Sequence, residues 1–415
     1  MISRRAFMKA GSLALVSLGA DPLFVDRAAY ALRHAGGRAR GRTLVCLFQR
    51  GAVDGLSMVV PVADPAYWTN RRRIAIARPE LLALDGQFAL HPRLAPLRAL
   101  WDRKQLAIVH AVGSPSLTRS HFDAQDFMET GAPDQRSTTD GWANRYCQNP
   151  TQHADTPFRS VAFGAQLPRT LAGSAPALAI KDLRTFGLRE AREDGDRPLT
   201  TAFESLYGGN ATGLVASSAA EGFEAIRMLR VANPANIGTA NGAEYPRGEL
   251  GSSMRQVAQL IRADLGVEIA FVDVGGWDTH VNQGAAQGQL ATRLNDLGAA
   301  IGAFVTDLGD RMADVALITM SEFGRTVREN GTGGTDHGHG TAMFVIGGDV
   351  RGGAVHGNWP GLGADALHEG RDLAVTTDFR TLFSEVLQGH LGAVDLKGVF
   401  PGFTGSPTLG VYPSS

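Results

Sequence analysis

The segment Gly333-Gly334-Thr335-Asp336-His337-Gly338-His339-Gly340 places a carboxylate and two imidazoles within four positions of a glycine-rich stretch. A second cluster, Gly275-Gly276-Trp277-Asp278-Thr279-His280, repeats the combination. Asp oxygen and neutral His nitrogen are usual ligands of zinc, manganese and iron, and flanking glycines let a backbone turn tightly enough to aim several side chains at one point. A lone Asp-His pair in a loop is more often a capping carboxylate beside a solvated imidazole. Two such clusters, each coming after an apolar run that reads as a buried strand, shift the reading to a shared metal site.

The elements that would position these clusters alternate. Arg42 to Phe48 reads as a strand buried on both faces, Leu94 to Trp101 as a helix and Leu106 to Val112 as the next strand. Ser120 to Thr130 reads as a helix with Ser120 at the N-cap and Asp123 completing a capping box. Residues 149–245 are harder to place. They contain strand patterns at Ser160 to Phe163 and Ala177 to Ile180, helical patterns at Leu199 to Leu206 and Ser217 to Val231, and a polar run from Arg189 to Arg197. Alternation then returns, with helices at Glu249 to Leu265, Gly284 to Asp310 and Asp378 to Leu391 around strands at Val267 to Val274, Val315 to Met320 and Thr341 to Gly347. This order predicts one α/β domain, a mostly parallel central sheet with helices on both faces. In such a sheet the carboxyl edge gathers the residues just past each strand: Asp54, the segment Ser116 to His121, Asp278 with His280, and Ser321-Glu322.

Composition narrows the setting. Lys plus Arg number 40 against 41 Asp plus Glu, a formal charge of −1, which supplies no field for a polyanion and argues against nucleic acid. Ser3-Arg4-Arg5-Ala6-Phe7-Met8-Lys9, then the moderately apolar Ala10 to Ala20 and the small-x-small pattern Ala29-Tyr30-Ala31, resemble a twin-arginine export signal cleaved after Ala31. The apolar run is too short for a stable membrane span. Residues 1–31 are therefore set apart from a single domain at 32–415, with the twin-arginine export machinery as a partner and the periplasm or the exterior as destination. Cys46 and Cys147 form no CxxC motif, and a buried free thiol is the expectation for Cys46, which sits inside the first strand.

The motifs FQRGAVDGL, TRSHFDAQDFMETG, DGWANRY, GGWDTH, MSEFGRT and GTGGTDHGHGTAMFVIGGDVRGG succeed one another over nearly the whole mature chain. In that order they resemble the family called domain of unknown function 1501, of the alkaline phosphatase-like superfamily. The resemblance implies an alkaline phosphatase-like fold and one or two divalent metal ions, zinc or manganese. Asp54 and Glu322 would hold one ion, and Asp278 and His280 with His337 or His339 a second, the Asp336 loop folding over the same edge. The pattern departs from the superfamily in two ways. Asp278 and His280 are separated by one residue where three are usual, and Ser321-Glu322-Phe323 stands where an Asp-His pair commonly comes directly after the strand.

The resemblance also implies a nucleophile at a helix N-terminus, for which Ser120 stands at the right kind of position, with Thr118 nearby. Capping alone explains a Ser there equally well. His121 reads as a general acid, a ligand or a packed helix residue. Arg50, Arg119 and Arg325 each neighbour a candidate ligand, where a guanidinium either clamps an oxyanion or forms a structural ion pair. No CxPxR motif surrounds either cysteine, which disfavours a formylglycine sulfatase mechanism. The implied function is an exported metal-dependent hydrolase of phosphate or sulfate esters, on a small-molecule or polymer substrate. The alternative is a catalytically inactive relative acting as a binding or assembly factor at the cell envelope.

Overall fold

In a computed structural model that describes residues 41–149, 156–186, 214–405 and 408–413, the apolar runs become strands of a single sheet. The export signal, the Leu199 to Leu206 helix and the Arg189 to Arg197 run lie outside the described residues. The strands are β1 (Thr43–Gln49), β2 (Leu106–Gly113), β3 (Ser160–Phe163), β4 (Leu178–Ile180), β5 (Ile269–Val274), β6 (Val315–Met320), β7 (Thr341–Gly347), β8 (Ala354–His356) and β9 (Thr377–Asp378). Their spatial order is β8-β2-β7-β6-β1-β5-β3-β4, with β9 also paired to β2. Each pair is parallel except those that β7 makes with β2 and β6. The mostly parallel sheet is thus as expected, and the exception has a cause. Segment 321–340 joins β6 to β7 on one edge without a crossover helix, so the chain turns back antiparallel.

The strands are apolar on both faces because helices cover both. Val45, Leu47, Val272, Leu317 and Phe344 point to a core that includes residues of the helices Ala95–Asp102, Glu249–Arg262 and Gln289–Leu308. Leu44, Cys46, Phe48, Phe271, Ile318 and Met343 point to the opposite core, shared with Trp142–Cys147 and Phe379–Leu391. This is the period-two alternation of a pleated strand with both sides buried. Cys46 and Cys147 are free and buried, and burial raises both thiols, Cys147 to about 12, which disfavours the thiolate. The closing helix Phe379–Leu391 starts where the Asp378 side chain accepts the Arg380 amide at 2.9 Å and stops at left-handed Gly392, φ 70°. No helix among the described residues is long and apolar enough to cross a membrane.

At the carboxyl edge the loop after β6 is a folded arm. Residues 324–326 pair with 336–339 through Gly324 N–H to His339 O at 2.8 Å, Gly338 N–H to Gly324 O at 2.9 Å and Thr326 N–H to Asp336 O at 2.9 Å. The tip is fastened to the loop after β5, where Asn282 and Gln283 amides donate to the Thr332 and Gly333 carbonyls at 3.0 and 2.9 Å. Two glycines make the approach feasible. A Cβ at Gly334 would collide with the His280 carbonyl, and one at Gly338 with the Arg325 backbone. Gly338→Ala is expected to destabilise the protein by about 1–3 kcal/mol by overpacking, measured by urea unfolding, while Gly331→Ala, with open space around its Cβ position, costs far less.

A buried ion pair fixes the same edge. Arg71 donates to both Asp54 oxygens at 2.6 and 2.9 Å, to Ser57 Oγ at 2.9 Å, and to the Val327 and Thr326 carbonyls at 2.9 Å each. Gln283 Nε2 donates to Asp54 Oδ2 at 2.7 Å, tying in the loop after β5. Burial pushes the Asp54 carboxyl up, and the Arg71 charge and hydrogen bonds more than offset it, leaving its pKa below the ordinary value. Asp54→Asn, which strips the charge from the pair, is expected to cost about 3–5 kcal/mol at neutral pH. Because the folded pKa is depressed, that contribution is present above the unfolded carboxylate value and lost as pH falls through the folded one. The stability gap between parent and variant in denaturant titrations should hold from neutral pH down to about pH 5 and close below about pH 4.

Candidate metal centre

Three imidazoles, those of His121, His280 and His337, converge on the carboxylate of Asp278 with Nε2 at 3.5, 3.0 and 3.4 Å. They arrive from different elements. His121 opens the helix His121–Thr130, Asp278 and His280 lie in the loop after β5, and His337 rides on the folded arm. One donor atom each from His121, Asp278 and His337 lies within 4.8 Å of the other two.

Each ring is oriented through its other nitrogen. His121 Nδ1 meets Glu322 Oε1 at 2.8 Å, His280 Nδ1 meets Asp336 Oδ1 at 3.0 Å, and His337 Nδ1 meets the Arg119 carbonyl at 2.9 Å. Carboxylates and carbonyls only accept, so Nδ1 carries the proton in each neutral ring and Nε2 presents its lone pair. The consequence is electrostatic. His280 and His337 face each other Nε2 to Nε2 across 3.0 Å, and His121 Nε2 is buried with no hydrogen-bond partner. Lone pairs crowded against one another and against a carboxylate are relieved by a cation among them, and oxygen-bound imidazoles are how proteins orient metal ligands. The donor set of His121, Asp278 and His337 could hold a divalent ion, with His280 alongside.

Arg325 anchors the other side of Asp278. Its guanidinium is buried and donates to Asp278 Oδ1, to the Ala52, Gly51, Thr335 and Trp277 carbonyls at 2.8, 2.7, 3.1 and 3.2 Å, with His280 Nε2 at 3.4 Å. Burial raises the Asp278 pKa, and Arg325 with the neighbouring histidines pulls it below the ordinary value, so the carboxylate is ionised at neutral pH. The hydrogen bond to Glu322 raises His121, whereas burial lowers His337. Glu322 itself is fully buried and accepts from the Gly51 amide at 2.7 Å and from Gln125 at 2.9 Å as well as from His121.

The other residues singled out in the sequence have different duties. Asp54 has both oxygens on Arg71 and Gln283, and Glu322 and Asp336 act as partners of His121 and His280. His339 is buried and stacked on His368 with centroids 4.8 Å apart, and burial lowers it to about 4. Arg50 is spent on Asp273, Glu129 and Gln125 at 2.6, 2.9 and 3.0 Å, and Arg119 on Asp372 and Glu369, both at 2.7 Å. Ser120 is exposed at the N-cap position but its side chain makes no capping bond, so the expected Ser120-Asp123 capping box does not form. Its amide instead donates to Thr118 Oγ1 at 3.2 Å. Sequence reading missed Arg71, Gln283 and Asn330. Asn330 Oδ1 accepts from the Thr332 and Gly334 amides, both at 3.0 Å, and its Nδ2 donates to the His280 carbonyl at 2.8 Å and to Asp336 Oδ1 at 3.0 Å. The cue available for Asn330 was an Asn preceding a Gly-Thr-Gly-Gly turn.

Among proteins of known structure, the architecture is similar to the C-terminal periplasmic domain of EcEptC from Escherichia coli, solved in complex with Zn, at 10% identity over 75% of this chain and 74% of that chain, TM-score 0.38. It is also similar to PsFucS1 sulfatase from Pseudoalteromonas sp., at 10% identity over 95% and 77% of the two chains, TM-score 0.37. Alkaline phosphatase from the Antarctic bacterium TAB5 gives 13% identity over 74% and 92%, TM-score 0.30. Superpositions at this level assign no residue. No curated protein matches the chain at significant sequence similarity. The model of the family described as "Protein of unknown function (DUF1501)" matches residues 41–399, and the chain belongs to that family.

Proposed function

We propose that this protein is an exported hydrolase of phosphate or sulfate esters working with one divalent metal ion, zinc in preference to manganese, held by His121, Asp278 and His337. The observation that carries the reading is the convergence of oxygen-tethered imidazoles, their Nε2 atoms turned inward, on one ionised carboxylate. The ester class rests on the superfamily resemblance of the motifs. A bound ion would supply Lewis-acid stabilisation of an ester oxygen and lower the pKa of water at the site. The chain's own groups do the rest. Glu322 and the Arg119 carbonyl hold the ligand rings, and Arg325 keeps Asp278 charged. His280, coupled to Asp336, is placed to hold or pass a proton at Nε2. The Ser120 hydroxyl, free of capping duty at the start of a ten-residue helix, is the group we assign to attack the ester.

A second reading, an inactive relative that binds at the envelope, draws on one observation: Arg50, Arg119 and Arg325 are all committed to protein partners. The two readings separate experimentally. Elemental analysis of purified protein should find about one ion per chain, and chelation should abolish turnover in a screen of aryl phosphates, phosphodiesters and aryl sulfates. Asp278→Ala or His337→Ala should empty the site, and Glu322→Gln should weaken metal affinity about 10–100-fold by releasing His121. Metal bound with no ester turned over favours the second reading, and neither metal nor turnover sinks both the metal centre and the hydrolase.

Ser120→Ala should keep the metal and lower kcat at least about a hundredfold, the scale set by loss of a covalent route. Unchanged kcat would move the attack to water. Replacing Arg4 and Arg5 by lysine should hold the precursor in the cytoplasm, as cell fractionation would show, if export takes the twin-arginine route.

A further inference from the structure

The helix His121–Thr130 carries His121, Gln125 and Glu129 at the i, i+4 spacing that stacks side chains on one face. Glu322 and Arg50 link them. His121 Nδ1 and Gln125 Nε2 both meet Glu322 Oε1, at 2.8 and 2.9 Å. Arg50 Nη1 donates to Gln125 Oε1 at 3.0 Å and to Glu129 Oε1 at 2.9 Å, and Arg50 Nε donates to Asp273 Oδ2 at 2.6 Å. A guanidinium has no acceptor, so the Gln125 atom facing Arg50 is its oxygen, and the amide nitrogen is left for Glu322. Only this orientation of the amide serves both neighbours. Charge along the face is partitioned accordingly. Arg50 is balanced by Glu129 and Asp273, whereas the Gly51 amide, the Gln125 amide and the Ser321 hydroxyl donate to Glu322 without bringing any charge. A guanidinium set directly on Glu322 would draw its charge away from the imidazole. A neutral amide fixes Oε1 in place and leaves that charge for His121.

We infer that Gln125 is a positioning residue of the metal centre: with its amide set by Arg50, it holds Glu322 Oε1 against His121 Nδ1 and so keeps His121 Nε2 turned toward Asp278. The inference rests on the metal-centre reading and extends it outward by one layer of side chains. It also gives Arg50 a duty. In place of clamping an oxyanion, its guanidinium fixes the direction of the Gln125 amide.

The test measures zinc affinity of the mature protein by competition with a chelating indicator, together with the visible spectrum of the cobalt(II)-loaded protein, which reads ligand geometry. Gln125→Met keeps the length and flexibility of the side chain and its helix propensity while removing both amide atoms. It should weaken zinc binding at least about fivefold, less than the roughly 10–100-fold typical of removing a direct ring partner, and shift the cobalt bands. Because the effect runs through Glu322, the same substitution made in a Glu322→Gln background should change affinity by less than about twofold. A packing effect would instead add equally in both backgrounds. Equal losses in the two backgrounds overturn the inference, as does a Gln125→Met protein with parental zinc affinity and cobalt spectrum; either result leaves the metal centre standing. A parent protein that binds neither ion overturns the metal centre itself and the inference with it. Should the methionine variant fail to fold, Gln125→Ala, also favourable in a helix, carries the same cycle.

Discussion

The buried guanidinium of Arg325 ties several loops of the carboxyl edge to one another. Arg325 extends from the arm after β6 and gives its donors to the carbonyls of Gly51 and Ala52 after β1, of Trp277 after β5, of Thr335 on the returning arm, and to Asp278. A charge taken out of water is tolerable only when its donors are matched, and here four backbone carbonyls and a carboxylate match them. The segments that carry Asp278 and His337 are thereby fixed relative to one another, and His121 is tied in through Glu322. The Asp54–Arg71 pair does similar service beside it, joining the loop after β1 to Thr326 and Val327.

The carboxylates of the edge divide into two kinds by burial and partner. Asp54 and Glu322 are fully buried with their oxygens committed, to Arg71 and Gln283 in one case and to His121, Gln125 and the Gly51 amide in the other. Asp278 is about half exposed, ionised by Arg325, and turned toward the imidazoles. This partition changes the expected ligand set. Glu322 and Asp336 orient the rings of His121 and His280, and His121, open in the sequence to the roles of general acid, ligand or packed helix residue, lies beside Asp278 and His337. The group that could hold an ion is compact: one donor atom each from His121, Asp278 and His337.

The sheet was legible because its strands are continuous apolar runs bounded by glycine, a pattern that permits little else than burial on both faces. The direction of β7 was not. Thr341–Gly347 has the same apolar character as its parallel neighbours, and only the hydrogen-bonded arm at 324–339 shows that the chain returns without crossing the sheet. The helix at Trp142–Cys147 was missed for a related reason: six residues are too few to show a period.

Residue chemistry in the sequence determined which types of atom gather at this edge: Asp278, His280 and His337 in glycine-rich loops, and His121 at a helix start, each leaving a strand or returning to one. Their roles were decided by tertiary structure, because coordination depends on lone-pair direction, and lone-pair direction is set by partners far away in sequence. His121 is turned by Glu322, 201 residues away, and His337 by the carbonyl of Arg119, 218 residues away. Asp54 has both carboxylate oxygens engaged by Arg71, a residue with no motif to announce it. Spacing along the chain names the donors, and only the fold determines where each lone pair points.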